Sequence, residues 1–208
     1  MIIAIDGPAA SGKGTLARRL AERYGLHHLD TGLTYRAVAA AMLAAGVDLD
    51  DRERACEFAR RVDLSHLDRT VLSDHGIGEA ASRIAVMGPV RAILVDRQKA
   101  FAQKPPGAVL DGRDIGTVVC PHAPVKFFVI ADRHVRAQRR YEEIRGKGGT
   151  ADFASVLADI ERRDARDSAR ASSPLTKADD AHLLDTSDLD IEAALSIAVE
   201  IVESVLNA

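Results

Sequence analysis

Residues 7–15 read Gly7-Pro8-Ala9-Ala10-Ser11-Gly12-Lys13-Gly14-Thr15, directly after the apolar run 1–5. Few segments this short constrain a chain so strongly. Gly, four residues, Gly, Lys is the spacing of a phosphate-cradling loop. The glycines let backbone N–H groups turn inward onto phosphate oxygens, and Lys13 brings positive charge to the β/γ region. Residues 15–24 have helical character, so the positive end of a helix dipole faces the same anion. Strand, loop and helix occur in the order such a site needs. The general pattern wants a hydroxyl directly after the lysine, as a Mg²⁺ ligand. Here Gly14 intervenes and the hydroxyl comes at Thr15, so the metal is expected to be held mainly by phosphates and water, with Thr15 nearby. A glycine-rich turn with a chance lysine is the plain alternative, and the flanking strand and helix argue against it.

The rest of the chain must build around that unit. At 208 residues it makes one globular domain, with room for mobile subdomains. A length like this buries a core without disulfides. Hydrophobic content of 47% and a net charge of −3 argue against a disordered chain and against a general nucleic-acid binder. Cys56 and Cys120 have no metal-type spacing and read as ordinary buried thiols. The opening run has no charged-then-apolar leader pattern, and the longest apolar stretch, 37–47, is far too short to cross a membrane. A cytoplasmic protein without membrane contact is the expectation.

Strand and helix patterns alternate. Strands are expected at 2–6, 28–30, 108–111, 125–131 and 182–185, and helices at 13–24, 31–45, 50–62, 79–87, 90–101, 132–145, 153–170 and 191–206. Segment 63–77 reads as irregular and polar, and 146–150 (GKGGT) as a flexible hinge. The alternation implies an α/β fold with a parallel sheet and right-handed crossovers, ligands binding beyond the carboxyl ends of the strands. Asp6, Asp30 and Asp111 close three of those strands and are expected to face one cleft.

Three further clusters carry chemistry. Asp111-Gly112-Arg113-Asp114 follows an apolar strand. A carboxylate at that place, beside a phosphate loop, is where a metal-orienting group belongs, and Arg113 suits a bidentate phosphate contact. A solvated Asp-Gly turn is the alternative. Asp30-Thr31-Gly32 precedes Tyr35-Arg36, and Arg36 lies about one helical turn beyond Thr31, a second candidate phosphate ligand. A capped helix with a surface arginine reads equally well. Around the hinge, Arg133, Arg136, Arg139 and Arg140 precede, and Arg162, Arg163, Arg166 and Arg170 follow. The spacing also permits ion-pair ladders, Asp159 with Arg163 and Arg163 with Asp167. Arg136, Arg139 and Arg140, however, crowd like charge with few local partners, which fits an anion and a closing lid that excludes water from phosphoryl transfer. The seven histidines are scattered and read as structural.

Taken together, IDGPAASGKGT, LDTGLTYR, the segment 82–91, LDGRDIGTVV, APVKFFV and ERRDARDSAR resemble the bacterial cytidylate kinases, within the nucleoside monophosphate kinases. The similarity runs in order from near residue 1 to about 175, and the glycine after the loop lysine is part of it. The resemblance implies a three-layer α/β/α phosphate-loop kinase fold over 1–208, with a small monophosphate-binding subdomain at about 31–103 and a lid at about 133–170. It implies transfer of the ATP γ-phosphoryl group to CMP or dCMP, with Mg²⁺. By matched position, Gly7–Thr15 bind ATP phosphates. Thr31, Ser82, Arg91, Asp114 and Arg170 match nucleoside-site residues, Arg163 and Asp167 match those near the sugar, and Arg36 and Arg113 match those on the monophosphate. Arg136, Arg139 and Arg140 match lid arginines, and Thr15 and Asp111 are the candidates near the metal. The segment at about 63–77 is shorter than the family usually has.

Cytosine offers an exocyclic amine where uracil offers a carbonyl. A carboxylate such as Asp114 accepts from the amine and repels the carbonyl, and a site built on such complementarity rejects the mismatched base because its polar groups would be left unpaired. Arg91 or Arg170 suits the ring acceptors N3 and O2. Transfer is expected to be in-line, with Lys13, Arg113, Arg139 and Arg140 stabilising the charge on the moving group. Rival readings are a kinase for another small acceptor such as shikimate, a GTP-hydrolysing switch, for which no Asn-Lys-x-Asp motif is present, and a nucleic-acid binder, which net charge and the lack of interleaved aromatics oppose. A monomer is expected.

Overall fold

The computed structural model describes residues 1–64, 67–169 and 173–207. They belong to two compact units: Met1–Leu29 with Pro105–Ala208, and Asp30–Lys104.

The first unit is built on a five-stranded sheet. Its strands are β1 (Ile2–Asp6), β2 (His27–Asp30), β3 (Ala108–Gly112), β4 (Val125–Ile130) and β5 (His182–Asp185), in the order β2-β3-β1-β4-β5. The pairs β1–β3, β1–β4 and β4–β5 are parallel. Ile3, Ala4 and Ile5 are successive residues with no exposure. Successive side chains leave opposite faces of a strand, so both faces of β1 are covered, and its apolar run reflects that. On one face α1 (Lys13–Tyr24) and α9 (Ile191–Leu206) bring Leu16, Ala17, Leu20, Ala198 and Val202 against Ile3, Ile5, Val109, Phe127, Val129 and Leu184. Gly25, in the left-handed conformation, ends α1. The chain leaves β1 toward β2 on one side, whereas β4 continues to β5 on the other. The switch point therefore lies at the carboxyl ends of β1 and β4, where sheets of this kind take ligands.

The remaining elements of this unit are α7 (Arg133–Gly146) and α8 (Phe153–Ser168), and a short π-helical turn, Ile115–Val119, after β3. Ala137, Val156 and Ile160 form the small core shared by α7 and α8, with Ala10 packed on it.

The second unit is helical: α2 (Thr31–Ala44), α3 (Arg52–Arg61), α4 (Arg69–Leu72), α5 (His75–Ile84) and α6 (Gly88–Ala102). Val38, Met42, Ala55, Ala59, Ile84, Val90 and Leu94 make its core. Segment 63–77, expected to be irregular, instead contains α4 and the start of α5. Two aspartates of this polar segment are helix caps. Asp68 accepts from the N–H groups of Thr70 and Val71, and Asp74 from those of Gly76 and Ile77. Among the described residues, no helix is long and apolar enough to cross a membrane.

Candidate active site

The phosphate loop closes over the sheet at the switch point. Gly7 passes so near β4 that a β-carbon there would lie 2.1 Å from the Val129 carbonyl oxygen, so no larger residue fits. Gly12 has φ 87° and forms the N-terminal cap of α1. Ala10 also holds a left-handed φ of 59°, strain of the kind kept where geometry serves a function. Lys13 is nearly buried and donates to the Pro8 carbonyl at 3.1 Å, a bond within the loop. The Ser11 hydroxyl is buried without a hydrogen bond. Thr15 is exposed on the first turn of α1 and accepts from Arg18 at 3.4 Å.

The arginines behave differently from the expectation of unsatisfied like charge. Arg136 makes a bidentate pair with Asp164 of α8, at 3.1 and 2.6 Å, and donates to the carbonyls of Ala131 and Ala9. Arg139 donates to the Thr186 hydroxyl at 3.0 Å and its carbonyl at 2.6 Å, and Arg140 pairs with Glu143. Asp164, Thr186 and Ala9 lie 28, 47 and 127 residues away in sequence, so a local count of charges missed them. Arg139 nonetheless borders the phosphate loop, since a β-carbon on Gly12 would be 3.8 Å from its Nη1. Asp159 pairs with Arg162 and Asp167 with Arg113.

Thr186 was not singled out from the sequence. Nearly buried just beyond β5, its hydroxyl stands 3.0 Å from the Ser11 carbonyl and 3.1 Å from that of Ile130, while accepting from Arg139. Its place after a strand end was the only available signal.

Next to the loop, β3 runs beside β1 with Ile5 opposite Asp111 and Asp6 opposite Gly112. Asp111 is buried, its Oδ1 2.9 Å from His28 Nε2. Arg113 Nε donates to Asp167 Oδ2 at 2.6 Å, joining this strand end to α8. Asp114 is buried at the entry to the π-helical turn. Arg163 lies half-buried on the same helix as Asp167. The neighbouring carboxylate of Asp6 accepts from the N–H groups of Ile115 and Gly116, each at 2.7 Å. Burial raises its pKa to about 6, against the two backbone bonds, with Asp114 adding to the rise and Arg113 opposing it.

In the helical unit, Thr31 is buried at the start of α2, its carbonyl accepting from the Thr34 hydroxyl. Gln98 donates to that hydroxyl in turn. Arg36 donates to the carbonyls of Leu72 and Asp74, and so holds the junction of α4 and α5. Arg91 is buried, 5.7 Å over the Tyr35 ring, and donates to the Ala85 carbonyl. Ser82 is half-buried on α5. Arg170 lies outside the described residues.

No cluster of three or more metal-ligating side chains occurs among the described residues. The oxygen donors on offer, the Thr15 hydroxyl and the Asp111 carboxylate, suit a hard cation that keeps much of its water and takes phosphate oxygens, as Mg²⁺ does.

The family model for cytidylate kinase matches residues 3–205. The cytidylate kinase of Rhizobium meliloti (strain 1021) is 62% identical over 206 residues, covering 99% of this chain and 97% of the relative. That of Agrobacterium fabrum (strain C58 / ATCC 33970) is 61% identical over 205 residues, covering 99% and 98%. Among solved structures, an uncharacterized protein from Eubacterium ventriosum ATCC 27560 superposes with a TM-score of 0.59 at 16% identity, over 98% of this chain and 99% of that one. A gluconokinase from Sinorhizobium meliloti 1021 does so with a TM-score of 0.50 at 14% identity, over 99% and 95%. At such identities these two speak for the fold alone.

Proposed function

We propose how the site works from one premise: this chain belongs to the cytidylate kinase family. It transfers the γ-phosphoryl group of ATP to CMP or dCMP, yielding CDP or dCDP. One observation carries the mechanistic reading. The phosphate loop and the Asp111–Asp114 segment leave adjacent, registered strands, and Asp6 at the end of β1 accepts from the N–H groups of Ile115 and Gly116, directly after that segment. In this reading, donor-phosphate and acceptor-reading groups stand at the carboxyl ends of two adjacent strands, the kind of positioning on which phosphoryl transfer chiefly depends.

Gly7, Pro8, Ala9, Ala10, Ser11, Gly12, Lys13, Gly14 and Thr15 are assigned to the ATP phosphates, with Lys13 leaving the Pro8 carbonyl for the β/γ oxygens. Arg113, Arg139 and Arg140 are assigned to the charge that spreads over the transferred group. The acceptor is already a phosphate oxygen, so no strong general base is required. Arg113 and Arg36 take the acceptor monophosphate, Arg163 and Asp167 the sugar, and Thr31, Ser82, Arg91, Asp114 and Arg170 the nucleoside. Mg²⁺, held by phosphates and water near Thr15, with Asp111 orienting from β3, would neutralise charge on the β and γ oxygens. In this reading, residues 31–103 form the monophosphate-binding subdomain and 133–170 the lid. Gly148, with φ 77°, lies in the turn that joins the two lid helices. The enzyme acts as a cytoplasmic monomer, all assigned groups coming from one chain.

Lys13→Met tests the assignment. It should lower kcat by about 10²–10³-fold, the order lost with one preorganised charge-stabilising group, while leaving the thermal midpoint nearly unchanged. Turnover at the wild-type rate would remove Lys13 from the mechanism.

A further inference from the structure

Asp6 is the last residue of β1 and immediately precedes the phosphate loop, yet its side chain serves a different segment. Oδ1 accepts the N–H of Ile115 and Oδ2 that of Gly116, both at 2.7 Å. These are the first two N–H groups of the π-helical turn Ile115–Val119. The residue in the cap position of that turn is Asp114, and it makes no side-chain cap hydrogen bond. At an ordinary helix start, an aspartate in this position folds its own carboxylate back onto the second or third N–H. Here the bonds come instead from a carboxylate 108 residues earlier in sequence than Asp114, on the neighbouring strand. The fit is close. A β-carbon at Gly116 would stand 3.4 Å from Asp6 Oδ2 and 3.2 Å from Lys126 Cδ, so the turn rests directly on the Asp6 carboxylate. Asp6 itself is 4% exposed, and a buried carboxylate with both oxygens spent on backbone N–H groups is fixed in orientation.

We infer that Asp6 is a positioning residue for acceptor recognition: it caps the turn that Asp114 begins, so that the Asp114 carboxylate serves the cytosine amine rather than its own backbone. The role rests on the reading of Asp114 as the base reader. Asp6 acts through the turn it holds, Ile115 and Gly116 with Asp114 directly before them. A π-helical turn at this place accords with the frequent use of such turns at functional sites.

Asp6→Asn keeps the shape but replaces one acceptor oxygen with an N–H₂ group facing a backbone donor. Losing a bond to a charged group should raise KM for CMP by about tenfold or more, with KM for ATP nearly constant and a narrowed CMP-over-UMP preference. Equal increases in both KM values, or a lowered thermal midpoint with both KM values unchanged, would overturn the role. Asp114→Asn, measured in parallel, separates two failures. If it keeps the CMP preference, the base reading itself falls. If it loses that preference while Asp6→Asn leaves KM for CMP unchanged, the role of Asp6 alone falls. Should Asp6→Asn not fold, the amide protons of Ile115 and Gly116 in the unaltered protein decide. Both should resonate far downfield, as short bonds to a charged carboxylate require, and ordinary loop positions would overturn the inference.

Discussion

At the scale of single residues, selectivity turns on which polar groups face one another. Asp114 is buried at the start of the π-helical turn, so an unsuitable base there would strand a carboxylate away from water. Asp114→Ala should reduce the preference for CMP over UMP by about 10- to 100-fold, the equivalent of the roughly 1–3 kcal/mol carried by one well-made polar pair. Competition kinetics with both acceptors would measure it, and an unchanged ratio would remove Asp114 from base recognition. What was readable at this scale is the backbone of the loop, because its spacing asks for glycine at positions 7 and 12, where a β-carbon would strike the Val129 carbonyl or φ is 87°. What was not readable is pairing across distance. No local pattern announces that Arg136 meets Asp164, that Arg113 meets Asp167, or that Thr186 touches the Ser11 carbonyl. The nucleoside, sugar and monophosphate roles came from the likeness of whole motifs, since a buried arginine such as Arg91 has no spacing that names its ligand.

At the scale of elements, burial and charge set the predictions. Arg136 joins α7 to α8 through a largely buried bidentate pair and also holds the Ala9 carbonyl. Arg136→Met should lower stability by about 1–3 kcal/mol, less than for a fully buried pair because Asp164 is 29% exposed and can turn to water. In a chain of this size that is a fall in thermal midpoint on the order of 5 °C, measured by calorimetry. Asp6 gives a pH dependence with an unusual sign. Its folded pKa, about 6, lies above its ordinary value of 3.8, so its contribution to stability is fully present below about 3.8 and is lost as pH rises through about 6. The thermal midpoint of the unaltered protein minus that of Asp6→Asn should therefore fall between pH 4.5 and 7 (roughly two pKa units of linkage), and a difference that grows with pH would contradict the burial of this carboxylate. Element boundaries were largely legible because strands with both faces covered are continuous apolar runs and helices end at Gly25 and Gly46. The exceptions have a common cause. Asp68, Asp74 and Asp114 are residues shared by turns and helix starts, and only the tertiary setting separates the two.

At the scale of the whole molecule, the order β2-β3-β1-β4-β5 places a switch point where β1 and β4 end, and the chain puts its phosphate loop there. The alternation of patterns was enough to expect a parallel sheet with such a crevice. It could not say which acceptor the crevice serves, since sheets of this order host many chemistries. Here full-length similarity to cytidylate kinases carries the assignment, with 62% identity over 99% of the chain, while solved folds at 14–16% identity, one a gluconokinase, speak only for the architecture. The most direct test is a coupled ADP-release assay with MgATP and equal concentrations of CMP, dCMP, UMP, AMP, GMP and shikimate. Turnover concentrated on CMP and dCMP is the expected result, and turnover favouring another acceptor, or ATP hydrolysis indifferent to acceptor, would contradict the account.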